Sequence, residues 1–183
     1  MFDDFGSLFC IIFPRAIHMN TEDIITHLKE LSNPKYLVGM QRFGIDSSKA
    51  LGIALPELRK LAKALKKDHD LALDLWKTGF HEARILASLV DEPAMGTEKQ
   101  IDEWVIDFNS WDLCDQVCGN LFDRTPFVIA KAKEFSNREE EFVKRTGFVL
   151  MAEYAVHNKM HPTKFSSIFS KLLSIRLVTT GIL

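Results

Sequence analysis

Leu55-Pro56-Glu57-Leu58-Arg59-Lys60-Leu61-Ala62-Lys63-Ala64-Leu65-Lys66-Lys67 is the stretch on which the fold turns. Leu58, Leu61, Ala62 and Leu65 recur at i, i+3, i+4 and i+7, which puts four apolar side chains on one face of an α-helix. Pro56 suits a first helical turn, where a missing N–H costs no hydrogen bond. Arg59, Lys63 and Lys66 recur at i, i+4 and i+7 as a second, basic stripe, with Lys60 and Lys67 beside it. A solvated helix face accounts for such a stripe. So does a surface that follows the regular line of phosphates along a duplex.

The same grammar repeats in both directions. Asn20 before Thr21, Pro34 after Asn33, Thr97 three residues before Gln100, and Ser110 before Trp111 are helix-start signals. Gly44, Gly79 and Gly96 mark breaks. Helices are predicted near 21–32, 34–43, 55–67, 69–78, 81–91, 97–108, 111–122, 126–136, 139–157 and 163–176. No strand-like alternation persists. Many short helices joined by tight turns predict an all-α chain of antiparallel pairs, stacked as a right-handed α-solenoid with a concave face. The periods look irregular, roughly 25–45 residues, and a compact non-repeat bundle is the competing arrangement.

The bulk numbers narrow the classes. With 183 residues, 46% of them hydrophobic, the chain can bury one core, so 19–183 is expected to be a single domain. Residues 1–18 hold the short apolar run Leu8–Phe13, but Asp3 and Asp4 stand where a signal peptide wants basic residues. They are expected to be an extension ahead of the domain, either non-native or a mobile tail. No apolar run approaches the roughly 20 residues of a membrane span. A formal charge of −2 means that any nucleic-acid role must come from a local patch. Three cysteines are too few for a disulfide scaffold and point to a reducing, cytoplasmic setting. No metal or small-molecule cofactor is expected. Cys114 and Cys118 lack further ligands, and His81-Glu82-Ala83-Arg84 lacks the second histidine of a zinc-protease motif.

Ser110-Trp111-Asp112-Leu113-Cys114-Asp115 carries the chemistry. Trp111 and Asp115 are four apart and share a helix face. Trp76 and Trp104 sit in apolar register and read as core. Asp112 falls in a first turn, where a negative charge suits the helix dipole. Asp115 lies a turn deeper, so it either pairs with an arginine or does chemistry. Arg84 and Arg145, both in apolar helices, are the possible partners.

These segments resemble the AlkD-like DNA alkylation repair family, the HEAT-like-repeat DNA glycosylases. The resemblance runs from about Asn20 to Lys164. It is carried by Met40–Ile45, Gly52–Leu61, Leu75–Lys77, His81–Ala87, Ser110–Gln116 and Phe142–Leu150. It implies a concave solenoid that grips duplex DNA by its backbone and excises cationic N3- or N7-alkylated purines. The family's catalytic aspartate falls on Asp115, its catalytic aromatic on Trp111, its phosphate-binding arginine on Arg145, and a DNA-contacting position on Arg59. Lys63, Lys66 and Arg84 are expected to add DNA contacts. The expected partner is duplex DNA carrying alkylated purines, bound by a monomer inside the cell. The family usually continues for about another repeat with a second aromatic. The tail Ser174–Leu183 does not resemble that helix, so an incomplete C-terminal repeat is expected. The alternatives are a non-catalytic DNA-binding solenoid and a protein-interaction scaffold.

Overall fold

The computed structural model describes residues 19–157. The extension expected at 1–18, the helix expected at 163–176 and the incomplete C-terminal repeat lie outside the described residues. Within them are α1 (Thr21–Glu30), α2 (Pro34–Arg42), α3 (Leu55–Leu65), α4 (His69–Lys77), α5 (His81–Val90), α6 (Glu98–Ile106), α7 (Trp111–Asn120), a 3₁₀ turn (Phe122–Arg124), α8 (Val128–Ser136) and α9 (Glu141–His157). There is no strand among them.

Most starts are those the sequence marks. Asn20 accepts the Asp23 N–H, and Asp23 returns the bond to the Asn20 N–H, closing a capping box on α1. Pro34 opens α2, as Pro56 lies in the first turn of α3. The box at Thr97 is only half made. Its hydroxyl accepts the Gln100 N–H at 3.1 Å, but the Gln100 amide turns away to Asp91 Oδ2 at 2.6 Å, a buried carboxylate that needs donors. Ser110 occupies the N-cap of α7, yet its hydroxyl makes no cap bond. The expected helix 55–67 stops at Leu65, because Lys66 takes a left-handed φ of 68°. Arg59 and Lys63 remain exposed on α3, while Lys66 lies off the helix and breaks the three-residue stripe. Lys67 folds back and donates to the carbonyls of Leu89 and Asp91, capping the C-terminus of α5.

The helices stack in two rows. In one, α3 packs on α5, α5 on α7, and α7 on α9. In the other, α4, α6 and α8 are joined by the stacked rings of Trp76 and Trp104 (3.9 Å between centroids) and by Lys131 donating to Asp102. The cross-helix hydrogen bonds reveal a register. Glu82 with Leu51, Gly52 and Ile53, His81 with Asp112, Ser88 with Asn120, Cys114 with Thr146, and Arg145 with Asp115 are all 29 to 32 residues apart. The helices of the first row therefore run parallel, each one repeat on from the last. That is an α-solenoid, with a more regular period than the sequence suggests.

Burial follows the stripes. Leu58, Leu61 and Ala62 face the core, and each leucine contributes roughly 1.5–3 kcal/mol by leaving water. α5 is covered on nearly every side, so that even Glu82 is 1% exposed. Its carboxylate accepts the N–H groups of Leu51, Gly52 and Ile53 at 2.8, 2.7 and 3.2 Å. Gly52 is required there. Its φ is +73°, and a Cβ would stand 2.4 Å from the Asn33 carbonyl oxygen.

Glu82→Gln would set an amide NH₂ against backbone donors and leave buried N–H groups unpaired. The expected loss is about 3 kcal/mol, or roughly 6–12 °C in Tm for a chain of this size, read by thermal denaturation followed by circular dichroism.

Candidate active site

α7 brings Trp111 and Asp115 onto one face, and the register of α9 brings Arg145 to Asp115. The Arg145 guanidinium forks onto Asp115, Nε to Oδ1 at 2.9 Å and Nη2 to Oδ2 at 2.7 Å. Neither partner is sealed in: the side chains are 40% and 31% exposed. The hydrogen bond to Asp115 pushes Arg145 still higher in pKa, against the opposing effect of its burial. Trp111 is 40% exposed, whereas Trp76 and Trp104 are 4% and 3% exposed and belong to the core, as their apolar registers require.

Trp111 is held from an unexpected direction. Its indole N–H donates to the Phe43 carbonyl at 2.9 Å, across 68 residues of sequence. α2 ends in a Schellman turn: Ile45 N–H bonds the Met40 carbonyl, Gly44 N–H bonds that of Gln41, and Gly44 has φ +70°. This turn leaves the Phe43 carbonyl pointing past the helix end, where the indole satisfies it. The Phe43 ring is 71% exposed.

Beneath Trp111, Asp112 binds His81. Nε2 lies 2.9 Å from Oδ2, and because an ionised carboxylate only accepts, that nitrogen carries the proton. Burial opposes the charge on Asp112. The His81 hydrogen bond and charge, helped by Ser110 and the Leu113 N–H, outweigh it and hold the carboxyl below its ordinary value. Asp112 is therefore more than a complement to the helix dipole: it ties α7 to α5.

Of the two arginines offered to Asp115, only Arg145 reaches it. Arg84 is committed elsewhere. Its side chain, 16% exposed, bonds the Asp107 carboxylate at 2.9 Å and carbonyl at 3.0 Å, and lies 5.1 Å over the Trp76 ring. Trp76 Nε1 donates to the same carboxylate. Arg84 is thus a fixture of the wall rather than a free cation. Arg59, Lys63 and Lys66 are exposed and have no ion-pair partner among the described residues. Cys114 and Cys118 are fully buried, with the Cys114 thiol 3.3 Å from the Thr146 hydroxyl.

Phe43, His81 and Asp107 were missed as participants by sequence reasoning. A 31-residue offset, had it been applied, pairs His81 with Asp112. No local signal pairs Phe43 with Trp111.

A two-row helical solenoid with an aromatic, a carboxylate and an arginine converging at one face defines the class. Comparison with known proteins defines the family. Residues 24–175 match the profile of the DNA alkylation repair enzyme family, and the chain belongs to it. Two relatives, the uncharacterized proteins Lin0241 of Listeria innocua and Lmo0209 of Listeria monocytogenes, are each 23% identical over 137 residues. Those matches cover 73% of this chain and 61% of each relative, so the chain spans about three-fifths of their length. A solved structure described as a new family of proteins related to the HEAT-like repeat DNA glycosylases, with affinity for branched DNA structures, shares the fold. Its TM-score is 0.72 at 19% identity, over 81% of this chain and 64% of that one.

Because Asp112 titrates lower in the folded state, its stabilising contribution is complete above the unfolded value of 3.8 and is lost as pH falls through the depressed folded value. Asp112→Asn is expected to lower stability by about 1–2 kcal/mol above that range. The gap from wild type should close in acid, as read by urea denaturation across pH.

Proposed function

We propose that this protein binds duplex DNA by its backbone and hydrolyses the N-glycosidic bond of cationic N3- or N7-alkylated purines. The observation that carries the reading is the part-exposed Asp115–Arg145 pair between α7 and α9, on the same face of α7 as the exposed Trp111.

Those three residue types suit the reaction. An alkylated purine leaves with the electron pair of the glycosidic bond, which neutralises its positive charge, so little acid assistance is needed. The sugar is left with oxocarbenium character. The Asp115 carboxylate, fixed by Arg145, stabilises that charge and orients a water, whose oxygen bonds the anomeric carbon as its proton passes to solvent water. The Trp111 ring adds a cation–π contribution of roughly 0.5–2 kcal/mol. Arg145 uses Nε and Nη2 on Asp115, and Nη1 remains for a phosphate of the bound strand. Arg59 and Lys63 on α3, with Lys66 beyond its end, supply further phosphate contacts. Arg84 serves this reading by bracing α5 rather than by touching DNA.

A second reading has a specific observation in its favour. Both oxygens of Asp115 are engaged by Arg145, and the solved relative is described by its affinity for branched DNA. On that reading the face recognises DNA junctions without turnover.

Duplex DNA carrying 7-methylguanine separates the two. The glycosylase reading expects free base by chromatography, with release reduced about 10²–10³-fold in Asp115→Asn. Retention of every base, together with a gel shift favouring a four-way junction over linear duplex, replaces it with the second reading. The basic residues are tested by salt. Arg59→Ala with Lys63→Ala should weaken binding to all sequences and flatten the slope of log affinity against log salt by about 2.

A further inference from the structure

α2 contains no buried residue, and neither does the segment 43–50 that follows it. Apolar burial therefore does little to hold this part of the chain down, and its position depends on a handful of polar contacts. Gln41 Nε2 donates to Ser47 Oγ, and the Ser48 N–H donates to Asp46 Oδ1 at 2.9 Å, closing the loop on itself. At its far end the Lys49 carbonyl accepts the first N–H of α5, from His81, at 2.9 Å.

Two contacts cross to the turn that leads into α7, and they bracket one residue position. The Phe43 carbonyl accepts the indole N–H of Trp111, and Asp46 Oδ2 accepts Asn109 Nδ2 at 2.9 Å. The segment is thus strapped over the start of α7 at residues 109 and 111. With its far end tied at Lys49, the strap is held to the turn before α7 at one point by the indole bond. The Asp46–Asn109 bond adds a second hold on the same turn and so limits where the Phe43 carbonyl stands, and hence where the indole edge is drawn. Asp46 remains a competent acceptor. The Ser48 N–H and side chain hold its carboxyl below the usual range, against burial, and Asn109 and the charge of His81 add to this.

We propose that Asp46 and Asn109 are positioning residues for Trp111, acting through the 43–50 strap. Neither touches the reacting atoms. Both are exposed, so neither is needed for the core. The effect on turnover rests on the role proposed above for Trp111; the effect on the surroundings of its ring does not.

The test uses the full chain labelled with 5-fluorotryptophan, which gives one ¹⁹F signal for each of three tryptophans. Trp111→Phe assigns the signal of interest, and the Trp76 and Trp104 signals report on folding. Asn109→Asp sets two carboxylates against each other and releases the strap. The swapped double variant D46N/N109D restores the bond with donor and acceptor exchanged, while an amide oxygen still accepts from Ser48. The expected result is a Trp111 signal moved toward that of solvent-exposed tryptophan in N109D and returned in the double variant, with Trp76 and Trp104 unmoved in both. Base release should fall about tenfold in kcat, with KM for DNA unchanged, and recover with the swap. A Trp111 signal that N109D leaves in place, or that the swap fails to return, overturns the proposal. A signal that moves and returns with unchanged base release upholds the positioning and counts instead against the role proposed above for Trp111. If the wild type releases no base, the ¹⁹F signals still decide whether the strap positions the ring.

Discussion

The rest of the structure depends on a buried carboxylate. Glu82 is enclosed, yet it satisfies three backbone N–H groups that would otherwise be orphaned in the turn before α3. Buried amides must find acceptors, so this contact fixes both the depth of α5 and its rotation. His81, one residue earlier, then faces α7 and takes Asp112. α7 in turn presents Asp115 to Arg145 on α9. Each helix of the row is placed by a polar latch to its predecessor, one repeat back, while apolar stripes supply the driving force without specifying the register.

That division of labour explains why the site is where it is. Apolar packing tolerates sliding, because a leucine face accepts neighbouring registers at modest cost. A carboxylate that must meet an imidazole or a guanidinium does not, since a buried charge left unpaired is expensive. The chain places its most specific contacts, Glu82, Asp112 and Asp115, along the same row as the candidate site. The architecture and the candidate site therefore share one set of constraints.

The partition of the three tryptophans shows the same logic. Trp76 and Trp104 stack in the other row, and Trp76 meets Phe108 edge-on and carries Arg84 over its ring. Trp111 opens α7, between α5 and α9 in the first row, where its ring stays part-exposed and its N–H finds a partner outside its own helix. An aromatic held by one edge, beside a carboxylate held by a guanidinium, is preorganised rather than merely present.

Much of the fold is legible in the sequence, because helices are local. The periods of Leu58, Leu61 and Ala62, the caps at Asn20 and Asn33, and the prolines at 34 and 56 act over three or four residues, within one turn of the backbone. Trp111 and Asp115 are visible together for the same reason: they share a turn. Other features answer to partners far along the chain. Lys66 leaves the helix at a left-handed residue, Gln100 abandons its capping box for Asp91, and Arg84 turns to Asp107 instead of Asp115. The indole of Trp111 finds a carbonyl 68 residues away. Local patterning determined the helices and the face that bears the candidate site. Only the packed structure decided which polar group meets which, because that choice is made by desolvation between elements brought together after each has already formed.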